Sequence, residues 1–329
     1  MRSVTSLWRS QNFTKYLSCI FVLRGQQKSK CFIKASLRAN ALTILYFCAI
    51  TYLAQVSNNK KGGDLIKKFC FTVDDNIRFL KEITEVGYQS IFDHPYLSMY
   101  RRLHERFGLK VQLNLFYREG DFDLSQMTDR YYEEWKENSD WLKLSFHSDI
   151  ENIKPYETAS YDEVYEDCKR THEQIKRFAS SEALANTTTI HYCLLTDSGL
   201  QAIEENGVSG LLGLFGTDEK PCTSYGIGEE DAKRIRNGEV VKIGKTSFAS
   251  IDIVLNLFSI DRILEQLEQL KGRGSIKVMI HEQYFYRDYI NYQPEFEKKL
   301  EATFVFLIDH EYQSEFYENV MLCRRPKKA

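Results

Sequence analysis

Acidic residues are missing from the first 63 positions of the chain, which carry ten Lys or Arg side chains instead. The rest of the chain, Asp64 to Ala329, holds all 46 acidic groups and the other 34 of the 44 basic ones, which gives it a net charge of −12. An acidic surface repels phosphate groups. The part from Asp64 onward is therefore not expected to bind nucleic acid.

Paired cysteines and a glycine-rich fingerprint are absent as well. The eight cysteines include no CxxC pair, and five of them, an odd number, follow residue 63. This pattern predicts neither a zinc ribbon nor a disulfide framework. No Gly-rich motif follows the first predicted strand, which argues against a nucleotide-binding open sheet.

The acid-free extension contains two apolar runs, YLSCIFVL at 16–23 and ALTILYFCAITYLAQV at 41–56. The second is short for a spanning helix, which needs about 20 apolar residues, and suits the core of a signal peptide or a marginal anchor. An upstream-extended start or an unstructured tail is the alternative. We therefore separate residues 1–63, a basic N-terminal extension, from a domain at 64–329. Secretion or membrane anchoring is expected if 41–56 acts as a signal or anchor, and a cytoplasmic location otherwise.

Short β-rich runs alternate with helical periodicity from residue 64 onward. The predicted strands are KFCFTV (68–73), VQLNLFY (111–117), WLKLSF (141–146), TTTIHYCLL (187–195), GLLGLFG (210–216), SFASIDIVLN (247–256) and IKVMIHEQYFY (276–286). Among the helices, one starts at His94-Pro95, and another starts at a capping box formed by Ser160 and Glu163. Alternation through about seven units predicts an α/β fold with parallel strands, and we favour a (β/α) barrel.

Several polar side chains occur where predicted strands end. Asp74 and Asp75 follow the first strand, His147 follows the third, His191 lies near the end of the fourth, and His281 lies in the last long one. In (β/α) barrels the active site gathers at the C-terminal ends of the strands. These residues are therefore expected to share one site.

The residue types are suited to metal chemistry. If the chain turns helically after the third strand, His147 and Glu151 share a face and could bind one ion together with Asp75. One nitrogen and two oxygen ligands suit Zn²⁺ or another first-row cation. His281 is a candidate general acid, because imidazole changes charge near neutral pH. The alternatives are that Asp74 and Asp75 cap a helix, that the 147–151 segment is a solvated loop, and that His281 is a core histidine.

The order of these motifs is informative. FTVDD (71–75) is similar to T-F-D-D-G, HSDIE (147–151) matches part of H-[ST]-x-x-H, IHYC (190–193) falls where R-P-P-Y-G would be, and MIH (279–281) is similar to L-x-H. Over roughly residues 68–286 the chain resembles the polysaccharide deacetylases, the NodB-like carbohydrate esterases of family 4.

The resemblance implies a deformed (β/α) barrel of about seven parallel strands, a divalent metal such as Zn²⁺, and removal of N- or O-acetyl groups from a polysaccharide or related glycan. Carried over position by position, Asp74 would be the general base and His281 the general acid. Asp75 and His147 would be metal ligands. The metal would polarise both the water and the acetyl carbonyl.

The chain also departs from the family pattern. Asn76 replaces the glycine of the first motif, and Glu151 stands where the second metal-binding histidine is expected. The segment around His191 lacks the arginine that usually pairs with the base, so His191 is predicted either to replace this arginine or to be the third ligand. A catalytically silent barrel that binds glycans, and a different hydrolase on the same scaffold, are the competing hypotheses.

Overall fold

A computed structural model describes residues 66–151, 156–217 and 219–321. The predicted extension at 1–63, with its apolar runs at 16–23 and 41–56, lies outside these ranges. Within them, no helix is long and apolar enough to span a bilayer. Whether 41–56 acts as a signal or anchor therefore stays a prediction.

Strands and helices alternate along the described chain. The strands are β1 (Lys68–Asn76), β2 (Val111–Phe116), β3 (Arg118–Glu119), β4 (Phe122–Asp123), β5 (Leu142–Ser148), β6 (Thr187–Thr188), β7 (Gly210–Gly213), β8 (Val241–Ile243), β9 (Thr246–Ser250), β10 (Ile253–Val254), β11 (Ser275–His281) and β12 (Gln313–Ser314). The helices are α1 (Arg78–Val86), α2 (Pro95–Phe107), α3 (Tyr132–Glu137), α4 (Tyr161–Phe178), α5 (Asp197–Glu205), α6 (Glu229–Arg236), α7 (Ile260–Leu270), α8 (Phe296–Asp309) and α9 (Tyr317–Met321).

Apart from β3 and β4, the strands form two sheets with mostly parallel pairing, which together make up the wall of a barrel. One has the order β10-β11-β1-β2-β5, and the other has the order β6-β7-β9, with β8 antiparallel beside β9. Between β5 and the segment that leads into β6, Leu144 N–H donates to Ala183 O at 2.8 Å. Its carbonyl accepts from Ala185 N–H at 2.9 Å. These bonds form a parallel bridge that joins the two sheets on one side.

The chain from β9 to β10 joins them on the other side. Ile251 N–H donates to Gly213 O at the end of β7, and the next residue, Asp252, donates to Lys277 O in β11, each at 2.9 Å. The continuous segment from β9 to β10 thus pairs with β7 on one side and with β11 on the other. The described strands therefore form a closed, irregular (β/α) barrel with seven parallel positions, which confirms the predicted fold class.

Successive side chains of a strand point alternately into the barrel interior and toward the layer of helices. In β1, Phe69, Phe71 and Val73 pack in the large cluster beneath the helices, whereas Cys70 faces a smaller cluster with Leu212 and Met279. The second cluster fills the interior, since successive strand residues point to opposite faces. Tyr317 and Met321 of α9 belong to the same interior cluster.

The helices with clear start signals form as predicted. Ser160 and Glu163 make the reciprocal capping box at the start of α4. His94 caps α2, Pro95 is its first residue, and Gly108 ends it at φ 64°. These local signals are reliable because the caps satisfy N–H and C=O groups that have no partner within the helix.

The predicted strand at 187–195 is wrong over most of its length. Within it only Thr187–Thr188 forms a strand, and a short 3₁₀ turn, His191–Cys193, follows. Tyr192 and Cys193 have φ angles of 59° and 56°, in the left-handed region, where a strand cannot continue. The strand predicted at 247–256 is divided between β9 and β10, and the one predicted at 276–286 ends at His281.

Candidate functional site

A bulge at the end of β1 separates the two adjacent aspartates. The register with β2 shifts between Val73 and Asn76, and Asp75 has φ 62°. Both carboxylates are buried. Asp74 Oδ1 accepts from Asn114 Nδ2 at 2.7 Å, whereas Asp75 lies beside two imidazoles. The adjacent carboxylates therefore have different partners.

Three buried side chains, from the ends of β1 and β5 and from the turn after β6, bring their ligand atoms together. His147 Nε2 lies 3.0 Å from Asp75 Oδ1 and 3.1 Å from His191 Nδ1. His191 Nδ1 lies 3.3 Å from Asp75 Oδ1. Ligand atoms of a tetrahedral zinc with bonds of ~2.0–2.1 Å are about 3.3 Å apart. Asp75, His147 and His191 therefore form a group that could hold a divalent metal ion.

The hydrogen bonds around His147 indicate what this group needs. Its Nδ1 lies 2.5 Å from the carbonyl oxygen of Thr189, so Nδ1 donates and Nε2 of the neutral ring presents a lone pair. That lone pair points at a carboxylate oxygen and at a second imidazole nitrogen. Either a proton or a cation is required among the three atoms. A carbonyl acceptor on the far ring nitrogen is also the usual arrangement of a metal-binding histidine.

Charge coupling within the group is strong. Burial opposes ionisation of Asp75, but hydrogen bonds from His147 and His191 outweigh it and hold the Asp75 pKa well below its usual value. Burial likewise disfavours charge on His147, yet the carboxylates of Asp74 and Asp75 raise its pKa overall. Burial, with the charge of His147, lowers the pKa of His191. These opposite directions favour the charged form of His147 over that of His191.

Phe116 packs against both imidazoles. Its ring centroid lies 5.2 Å from that of His147 and 5.0 Å from that of His191, the latter edge-on at 84°. The aromatic ring at the end of β2 restricts the rotation of both histidines. Packing thus adds to the hydrogen bonds that orient the ligand atoms.

The two predicted proton-transfer residues flank the group. Asp74 and His281 are register partners on the adjacent strands β1 and β11. Burial raises the pKa of Asp74, against the opposing effects of His147, His281 and the hydrogen bond from Asn114. His281 Nδ1 lies 2.9 Å from Asn256 Oδ1, which only accepts, so Nδ1 carries a proton and Nε2 is left for other partners.

Glu151 is not part of the group. Among the described residues, Asp75, His147 and His191 form the one group of three that could hold a metal ion, so His191 rather than Glu151 completes it. Glu151 is half-buried, and burial together with the charges of Asp75 and Glu119 raises its pKa. The hydrogen-bond partner of Asp74 is Asn114, and whether His191 takes the place of the missing arginine stays a prediction.

Sequence reasoning missed three residues that contact the site or its supporting turn. Asn114 binds Asp74, Gln283 binds Asp75, and Glu282 binds the turn after Asp75. Asn114 lies in the alternating strand VQLNLF, where a polar interior residue is a detectable signal. Glu282 and Gln283 directly follow His281, but nothing in their types or spacing indicates which strand end they contact.

No protein-family model and no curated protein matches the sequence. Among solved structures, a 4-α-glucanotransferase from Thermococcus litoralis matches with a TM-score of 0.53 and 11% identity, over 80% of this chain. The chain spans only 41% of that enzyme's length. This match shows a shared fold.

Two further solved structures match with lower scores. One is a family 4 acetyl xylan esterase from Clostridium thermocellum in complex with a cobalt ion, with a TM-score of 0.44, 10% identity, and coverage of 78% of this chain and 91% of that one. The other is a Mycobacterium smegmatis protein with a provisional polysaccharide deacetylase assignment, with a TM-score of 0.48, 11% identity, and coverage of 80% and 96%. Both matches are at low identity.

Proposed function

We propose that this protein is a metal-dependent hydrolase that removes acetyl groups from a polysaccharide or related glycan. The observation that carries the proposal is the close grouping of Asp75 Oδ1, His147 Nε2 and His191 Nδ1 within 3.0–3.3 Å of one another. The proposed substrate class, an acetylated glycan, rests on the resemblance of the sequence motifs to those of the polysaccharide deacetylases.

In this proposal Asp75, His147 and His191 hold a divalent cation. Two imidazole nitrogens and one carboxylate oxygen are a donor set that suits zinc, and three protein ligands leave a position open. A bound cation would supply Lewis acidity and make water a stronger nucleophile near neutral pH. Glu151 is not a ligand in this proposal, and His191 takes the third position.

Asp74 is the proposed general base. Burial raises its pKa, which makes the carboxylate a stronger proton acceptor, while the hydrogen bond from Asn114 favours the ionised form that a base needs. Its neighbour across the strand pair, His281, is the proposed general acid. Asn256 fixes the His281 ring through Nδ1, so that Nε2 can hold the proton for the leaving amine or alkoxide.

Acetate release from acetylated oligosaccharides tests the reaction. The unaltered protein loaded with Zn²⁺ is expected to release acetate, and a chelator is expected to abolish this. Asp74→Asn should lower kcat by about 10²- to 10⁴-fold, the usual contribution of a general base. Asp140→Asn is the matched control, because Asp140 is exposed and its replacement leaves the site intact.

Elemental analysis of the same preparations separates the alternatives. Stoichiometric metal that is lost in His147→Ala supports the proposed centre. Bound metal without acetate release from any acetylated glycan would contradict the deacetylase assignment and favour another hydrolase. A protein that binds glycans but neither metal nor acetylated substrate would be the catalytically silent barrel.

A further inference from the structure

The short turn after β11 reaches across to the end of β1. Glu282–Phe285 forms a 3₁₀ turn directly after His281, and its first two side chains contact the segment that carries Asp75. These contacts join residues more than 200 positions apart in sequence. The turn is therefore a candidate for what fixes the geometry of the proposed centre.

Glu282 caps helix α1 from a distance. Its Oε2 accepts from the backbone N–H groups of Ile77 at 2.7 Å and Arg78 at 3.1 Å, and its Oε1 accepts from Phe79 N–H at 2.8 Å. Tyr286 Oη adds a fourth bond at 2.9 Å. The side chain at the N-cap position, Ile77, cannot cap the helix. A carboxylate that is only 1% exposed thus takes over the capping role and attaches the start of α1 to β11.

Gln283 binds Asp75 itself. Its Nε2 donates to Asp75 Oδ2 at 2.7 Å, which leaves Oδ1 for the two imidazoles. Gln283 Oε1 is buried without a hydrogen-bond partner among the described residues. The Gln283 amide group therefore hydrogen-bonds to Asp75 through Nε2, and its Oε1 bonds to no group among the described residues.

Asp75 needs such support because its backbone is unfavourable. Asp75 is a non-glycine residue in the left-handed region, a strained conformation that persists only where the surrounding structure holds it. The bulge interrupts the sheet register around Asp75, so sheet pairing does not supply the restraint. Glu282 fixes the three residues that follow Asn76, and Gln283 fixes the carboxylate.

We propose that Glu282 and Gln283 are positioning residues that orient Asp75 as a metal ligand. The proposal rests on the metal site of the proposed function. Hydrogen bonds to a ligating carboxylate typically change metal affinity 10- to 100-fold when they are removed. The centre is thus supported by a segment that contributes no ligand.

Metal affinity, measured by competition with a chromophoric chelator for Zn²⁺ and Co²⁺, tests this role without any substrate. Gln283→Ala is expected to weaken both affinities about 10- to 100-fold and to change the absorption spectrum of bound Co²⁺. Glu282→Gln keeps the size of the side chain but presents an N–H₂ group to backbone donors, so it should weaken binding in the same direction. The matched controls are Gln269→Ala and Glu173→Gln, both at exposed helical positions.

The outcomes distinguish this proposal from the proposed function. Unchanged affinity and spectrum in Gln283→Ala, with tight binding by the unaltered protein, would overturn the positioning role alone. Lower thermal stability with unchanged affinity would show that Glu282 has only a structural role. If Glu282→Gln does not fold, Gln283→Ala decides the question, because it removes no backbone bond. Absence of binding by the unaltered protein would overturn the metal site and this proposal with it.

Discussion

Protonation of a buried histidine outside the candidate site is expected to limit stability in acid. His172 lies on the inner face of α4, 3.7 Å from the sulfur of Cys168. Burial, with a contribution from Lys176, lowers its pKa from the ordinary 6.5 to about 4. Since the unfolded chain binds this proton below pH 6.5 and the folded chain does not, stability falls as the pH drops from 6.5 toward 4.

The magnitude follows from the size of the shift. One pKa unit corresponds to about 1.4 kcal/mol, so His172 should cost about 2 kcal/mol of unfolding free energy at pH 5 and about 3 kcal/mol at pH 4. For a domain of this size, 2 kcal/mol corresponds to a Tm change of about 4–8 °C. Above pH 6.5 the contribution of His172 to this pH dependence disappears.

Urea unfolding of the unaltered protein and of His172→Gln, at pH 7.5 and at pH 5, measures the effect. The variant cannot take up the proton, so its loss of stability between the two pH values should be smaller by about 2 kcal/mol. Glu173→Gln, an exposed change at the next position of the same helix, should keep the full pH dependence. Equal pH dependence in His172→Gln and the unaltered protein would refute the reasoning.

Two further changes test the polar groups of the barrel. Asn114→Ala removes the hydrogen bond that favours ionised Asp74 and should therefore raise the Asp74 pKa. The acidic limb of the pH profile of kcat/KM should then move to higher pH. A purely structural effect would instead lower activity equally at every pH. Asp252→Asn leaves the fully buried ammonium of Lys277, 3.3 Å away, without its carboxylate, and should lower the free energy of unfolding in urea by about 3–5 kcal/mol. The double variant with Lys277→Met removes the unpaired charge and should recover stability. If the double variant recovers no stability, the unpaired charge is not the cause.

Local signals in the sequence were sufficient for most of the elements. The capping box at Ser160 and the His94-Pro95 start define helices through bonds within a few residues, and alternation in KFCFTV defines β1. These features depend on neighbours along the chain, which a sequence displays directly. Strand lengths were less predictable, because apolar runs continue through the turn at His191–Cys193.

The candidate site was only partly predictable. Asp75 and His147 lie at the C-terminal ends of strands, and barrel topology predicts that such positions converge. The choice between Glu151 and His191 depended on the turn at 191–193, where the backbone adopts positive φ angles that the residue types do not indicate. Glu282 illustrates the same limit, since the cap of α1 is supplied from the other end of the domain.

The pairing of β1 with β11 has a consequence for biosynthesis. Lys68 pairs with Ser275, so about 200 residues must leave the ribosome before β1 acquires this neighbour, which takes roughly 10–40 s at ordinary rates of translation. Until then one edge of the nascent strand has no partner, and the apolar interior, which Tyr317 and Met321 complete, is open to water. Exposed apolar surface and unpaired strand edges favour aggregation, so slower synthesis would prolong the interval in which the nascent chain can aggregate.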